Sequence, residues 1–353
     1  MKGKKLILSL ALLVLAASVF ARKKDQPKAT TLPRPNWVDN VSSVYPSASY
    51  IAYVGEGKSK DEAELAAVTG VAAVFSQSIK STAKASKRMG EAAQSGKVAQ
   101  TNVDSSISRD VQSSVAAENL IGVQIDGFWD DGKGSTWAVA VLDKKKASGI
   151  YQQMIRKNAQ EIAHLVDIDT MDENYYSFET YARYDFACEV AGQNEALLSR
   201  LQVIDLNAAR QFEGNFPSSR FLRGDAVAVA QMIPVYVEVK GDETGRMKRA
   251  LEGVFTEAGF RTSDVPIERY RLEATAYFER RNTDSSVQCW YSLEGSLTDW
   301  ELAEVLLPLS LNGREASNDF VWAKNRAVRS IEAVIKRDFA PRFGEFLTSI
   351  VAY

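Results

Sequence analysis

The sequence predicts an α+β protein: two small sheet-plus-helix domains joined by a helical connector, after an N-terminal signal peptide. Three observations predict it. Short apolar stretches with the two-residue period of strands occur towards both ends of the chain, each beside a segment whose apolar residues recur every three or four positions, whereas the middle carries only the longer period. Glycines and Asp/Gly clusters stand where the period changes. The first twenty residues differ from the rest, with three lysines in Met1 to Lys5 and then an apolar run of fifteen residues from Leu6 to Phe20.

That start has the form of a secretory signal, residues 1–21, with cleavage expected after Ala21. Fifteen apolar residues fall short of the roughly 20 that span a bilayer. A lipid anchor would need a Cys just after the run, and the first Cys is Cys188. Removing residues 1–21 takes away three lysines and no acid, so the formal net charge moves from −2 to −5. Basic residues are scattered, which does not suggest a nucleic-acid partner. Residues 22–35 form a basic, flexible tether rich in Lys, Thr and Pro.

Residues 36–145 make the first domain. Tyr50 to Val54 is a strand, Gly55-Glu56-Gly57 a turn, and Ala63, Ala66, Ala67, Val71, Val74, Phe75 and Ile79 one face of a helix. Residues 82–102 continue the helix and then become a mobile loop, while Val103, Ile107, Val111 and Val115 fit a helical stripe or an alternating strand equally. Leu120 to Phe128 and Trp137 to Leu142 are strands joined by Asp130-Asp131-Gly132-Lys133-Gly134, whose residues tolerate positive φ. The plan is β-α-β-β.

The connector, residues 146–225, holds two long helices, one carrying Ile150, Met154, Ile155, Ile162 and Leu165, the other Tyr181, Phe186, Val190, Leu197, Leu198 and Leu201. A turn-rich stretch follows from Phe216-Pro217 to Gly224. The second domain, 226–353, has strand composition at Ile233 to Val239, a helix from Arg246 to Ala258 closed by Gly259, and strands at Leu272 to Phe278, Val287 to Leu297 and Leu306 to Leu311. A final helix over about 319–350 carries an apolar stripe from Phe320 through Phe343 to Ile350 and covers the sheet.

The segments Pro35-Asn36-Trp37-Val38, Tyr45-Pro46, Tyr50-Ile51-Ala52-Tyr53-Val54-Gly55-Glu56-Gly57, Leu120-Ile121-Gly122-Val123, Trp129 and Trp137 to Asp143 together resemble the Lpp-twenty lipoprotein family, over about residues 33–145. They are also similar to the N-terminal domain of the flagellar assembly protein T. The resemblance implies a small α+β module on secreted envelope proteins of Gram-negative bacteria, with no active site to carry over. The chain departs from the family in lacking the lipidated Cys.

Several residue groups invite chemistry. Ala52 to Ser59, ending Gly57-Lys58-Ser59, satisfies a relaxed phosphate-loop pattern, but an antiparallel hairpin follows where a nucleotide-binding loop needs a parallel, doubly wound sheet. The plain alternative is a Gly turn capping a helix. His164 has no partner for a zinc site or a triad and fits a helix end. Asp167, Asp169, Asp172 and Glu173 lack the Gly and distal Glu of a calcium loop. No catalytic residue, metal ligand or cofactor site is nominated. Cys188 and Cys289 fit a disulfide closing about 100 residues or two buried thiols. Trp37, Tyr45, Tyr53, Trp129 and Trp137 form a binding patch for protein or glycan if exposed, and core if buried.

The expectation is a non-catalytic protein exported to the periplasm or the periplasmic face of the outer membrane, without a transmembrane helix in its mature form. It acts through contacts with another envelope protein, a flagellar or wall-assembly component by analogy. Peptidoglycan binding through the aromatics is the alternative, and nucleotide binding through Gly57-Lys58-Ser59 is the remote one.

Overall fold

The computed structural model describes residues 33–93, 120–284 and 286–351. The expected signal peptide, the tether up to residue 32, the Val103 to Val115 stretch and Tyr353 lie outside the described residues. The architecture is α+β, with a three-stranded and a five-stranded sheet.

Two short helical turns, α1 (Asn36–Asp39) and α2 (Val41–Val44), precede β1 (Tyr50–Gly57). Helix α3 (Lys60–Ala93) follows after two residues. The strands β2 (Val123–Asp130) and β3 (Thr136–Asp143) form a hairpin, and β3 also pairs with β1, so the order is β1-β3-β2, antiparallel throughout. The expected β-α-β-β plan is realised. The hairpin turns where the sequence predicts: Asp130 accepts the Gly132 N–H, Asp131 accepts those of Lys133 and Ser135, and Gly132 and Gly134 take φ of 67° and 106°.

β3 runs directly into α4 (Lys144–Val166), because Asp143 caps it by accepting the Lys145 and Lys146 N–H groups. α4 and α5 (Phe178–Ile204) pack together, followed by α6 (Leu206–Arg210) and α7 (Ser219–Met232). The stretch expected to be turn-rich up to Gly224 turns only as far as Ser218, whose hydroxyl accepts the Phe221 N–H and starts α7. Arg183 of α5 closes the end of α4 by donating to the carbonyls of His164, Leu165 and Asp167.

This pair of helices belongs to both cores. Ala147, Tyr151 and Ile155 of α4 and Leu197, Leu201 and Ile204 of α5 pack with Ala63, Phe75, Ala140 and Leu142 of the first domain. Ile162, Leu165, Phe178, Tyr184 and Val190 pack with Leu251, Phe255, Leu272 and Phe343 of the second. Between them Asn194, fully buried, donates to the Ile155 carbonyl at 3.2 Å.

The second sheet contains β4 (Pro234–Lys240), β5 (Arg261–Ser263), β6 (Tyr270–Asn282), β7 (Val287–Asp299) and β8 (Glu304–Ser317), ordered β5-β4-β6-β7-β8. β4 runs parallel to β5 and β6, and the remaining pairs are antiparallel. β6 and β8 exceed their expected lengths, because antiparallel pairing satisfies the backbone even where the side chains become polar on both faces. α8 (Arg246–Glu257) ends at Gly259, φ 93°, as expected. The single helix expected over 319–350 is α9 (Phe320–Val334), a π-helical turn at Ile335–Phe339 and α10 (Ala340–Ile350). Pro341 explains the interruption: it has no N–H for the preceding turn and its ring crowds that backbone. α8, α9 and α10 cover one sheet face, where Phe178 stacks on Tyr270 at 3.9 Å and meets Phe260 and Phe343 edge-on.

Candidate functional site

The aromatic residues of the first domain divide between the faces of its sheet. Strand alternation places Tyr50, Ala52 and Val54 on one face and Ile51, Tyr53 and Gly55 on the other. On the first face Trp37 and Trp129 are buried, and Tyr45 and Trp137 half-buried, in a thin layer with Val139 and Val141. Arg34 lies over the rings of Trp129 and Trp137, at 5.2 and 5.5 Å from their centroids. Tyr45 donates to Asp126 Oδ2 at 2.5 Å, and burial, then this bond, pushes its pKa up to about 12. Tyr53 is on the opposite face against Gly70 of α3, 45% exposed. Four of the five aromatics therefore meet, but as the layer that α1 and α2 lay on the sheet. They do not form an open patch.

The Gly57-Lys58-Ser59 loop is a helix cap. Ser59 Oγ accepts the Glu62 N–H, and the Glu62 carboxylate accepts the Lys58 N–H at 2.8 Å. A carboxylate thus sits where a phosphate would bind. Gly55 and Gly57 are needed for space: a Cβ on Gly55 would lie 2.2 Å from the Ala67 nitrogen, and one on Gly57 2.6 Å from the Ala63 nitrogen.

Of the two arrangements left open for Cys188 and Cys289, the structure has two buried free thiols. Cys188 packs in the main core and donates to the Ser219 carbonyl, whereas Cys289 packs against Ala323 and Ala327 of α9. Burial raises the pKa of both. His164 is exposed in the last turn of α4. Asp169 and Asp172 accept the N–H groups of Met171 and Asn174 in local turns. Among the described residues no cluster of His, Cys, Asp or Glu is arranged to hold a metal ion, and no helix is long and apolar enough to cross a membrane.

The most developed exposed feature lies at one end of the second sheet, around a turn that the sequence reading left unassigned. Asp299, 2% exposed, accepts from Arg269 Nε at 2.9 Å and from the Glu301 and Leu302 N–H groups. Arg269 also donates to Asn174 and pairs with Glu301. Its carbonyl accepts the Trp300 N–H. The turn passes through Ala303 at φ 54°, a left-handed conformation that a non-glycine residue adopts only under constraint. This clamp fixes the turn on which Trp300 and Leu302 are exposed, and Val305 in β8 and Val265 and Ile267 in the loop before Arg269 are exposed as well, Ile267 to 81%. Arg271 covers one face of the Trp300 ring at 4.0 Å. The available signal was the run Trp300, Leu302, Val305 within a polar loop.

No family model matches the chain, and no curated protein matches it. Solved structures similar to it include a minor lipoprotein from Acinetobacter baumannii, at 13% identity over 33% of this chain and 90% of that one, TM-score 0.24. A secreted protein from Helicobacter pylori is 10% identical over 80% of this chain and 96% of that one, TM-score 0.35. Lipoprotein B from Nitrosomonas europaea is 14% identical over 33% of this chain and 80% of that one, TM-score 0.23.

Proposed function

We propose that this is a non-catalytic, exported protein of the cell envelope that works by contact with another envelope protein. The observation that carries the reading is the clamped apolar end of the second sheet. Solvent gains nothing from large apolar side chains such as Trp300 and Leu302 standing exposed on one turn, and an Arg–Asp pair, with one partner almost fully buried, holds that turn in place. Such a group, rigid before binding, loses little entropy on docking. Export rests on the Lys-rich start and the apolar run from Leu6 to Phe20. The shared helical pair α4/α5 supports a rigid two-lobed body that presents this end at a set distance from the first domain. The glycan reading is weakened because its aromatics are largely covered, and the nucleotide reading because Glu62 caps the loop.

The test uses the full chain in cells, with a photo-crosslinking residue at Leu302 or Val305 and, as control, at Thr283 at the far end of the sheet. A discrete crosslinked species from the first two positions only supports the proposal. Equal labelling at both ends, or none, ends it.

A further inference from the structure

A second feature is independent of the apolar end. Along the seam of α8 and α9 runs an open groove of about 670 Å³, a volume in the range of small-molecule sites. One wall carries Arg249, Gly253 and Glu257 on successive turns of α8, the other Arg329 and Lys336 of α9 and the π-helical turn, with Ala333 between them. Arg246 and Glu332 also line it and neutralise each other in a two-pronged ion pair across the seam. Arg249 donates only to the Thr244 carbonyl, and Arg329 and Lys336 have no carboxylate partner among the described residues. Three cations therefore face one carboxylate, Glu257, an excess of two positive charges around a floor of small residues. A methyl group on Gly253 would meet nothing within 4 Å, so the floor is open space.

We propose that this groove binds a phosphate-bearing ligand. A phosphate dianion matches the excess charge, and guanidinium and ammonium groups are the side chains best suited to its oxygens. The π-helical turn places Lys336 on the groove wall, a use of such turns that recurs at binding sites. Phosphate can arrive as a free phosphorylated molecule or as a lipid headgroup, and the two arms of the test separate these sources.

Calorimetric titration of the full chain with inorganic pyrophosphate at low salt is expected to show saturable binding, weakened at least tenfold in Arg329→Gln/Lys336→Gln. Gly253→Leu adds apolar bulk to the groove from a position whose Cβ meets nothing within 4 Å and changes no charge, and is expected to weaken binding as much while keeping the circular dichroism of the parent. Arg281→Gln, remote from the groove, leaves binding unchanged. Retention on phosphatidylglycerol vesicles but not phosphatidylcholine vesicles, lost in the same groove variants, assigns a headgroup. Pyrophosphate binding without vesicle retention assigns a free phosphorylated molecule. Neither pyrophosphate binding nor vesicle retention, or binding equal in parent and groove variants, overturns the proposal.

Discussion

Replacing Gly55 with Ala tests why the first strand carries glycines. In a phosphate loop such a glycine supplies backbone freedom or access for a ligand, and adding one methyl group would leave stability nearly untouched. Here Gly55 presses against α3: its Cβ would stand 2.2 Å from the Ala67 nitrogen and 2.4 Å from the Ala63 carbonyl oxygen. Both are backbone atoms, so no rotamer change relieves the clash. Opening 2.2 Å to the ordinary 3.4 Å requires α3 to retreat by about 1.2 Å. That helix contributes Ala63, Ala67, Val71 and Phe75 to the first core, all fully buried. A gap of 0.5–1 Å already forfeits a quarter to a half of a contact's attraction, and overpacking commonly costs 1–3 kcal/mol, so a loss of about 3 kcal/mol is expected. Gly149→Ala is the control. It lies exposed in α4 with nothing within 4 Å of the added carbon, and is expected to stabilise by about 0.5–1 kcal/mol through helix propensity and unfolded-state entropy. Urea unfolding gives both numbers, and hydrogen exchange localises the first to β1 and α3. A Gly55→Ala protein within about 0.5 kcal/mol of the parent, with unchanged exchange there, would refute the packing argument.

Arg269→Gln leaves the Asp299 carboxylate buried without its cation and is expected to cost about 3 kcal/mol, with Trp300 fluorescence shifting as its turn loosens. Tyr45 keeps its proton to about pH 12 in the folded state against about 10 unfolded. Its contribution is therefore complete below pH 10 and lost as pH rises towards 12. Tyr45→Phe should remove that part of the alkaline loss in a pH series of urea melts, and ultraviolet titration of the parent should show several late phenols, Tyr184 and Tyr270 among them, of which the one belonging to Tyr45 alone moves earlier in Asp126→Asn. Arg183→Ala removes three bonds to the end of α4 and should cost about 1–2 kcal/mol. Lysine there should recover only part, since one ammonium does not bridge three carbonyls as the fork does, and thermal melts of the three proteins decide this. Alkylation without reductant should label both Cys188 and Cys289 after unfolding and neither quickly before it, as intact mass will show.

Much of the chain was legible because its signals are local. Asp130 to Gly134 announce a hairpin through residues that accept backbone N–H groups or positive φ, and the Gly55-Glu56-Gly57 turn marks the start of α3. Gly259 ends α8 for the same kind of reason. The aromatic group shows where locality fails. Alternation alone separates Tyr50 from Tyr53, yet whether the Tyr50 face is open or covered depends on α1 and α2 folding back to bring Trp37 over Gly127. Cys188 and Cys289 are likewise ordinary small residues on apolar faces, and only packing shows that each faces a different helix.

By itself, then, the sequence determined an α+β chain with two sheets, the helical segment between them and the positions of most turns, since period, caps and glycines act over a few residues. Tertiary structure decided that the helical segment is part of both cores, that Asp299 pairs with Arg269 thirty residues away in the chain to hold Trp300 outward, and that Arg249 and Arg329 face across one groove. These depend on which surfaces meet, and hydrophobic burial, being non-directional, leaves that choice to the sum of contacts across the fold.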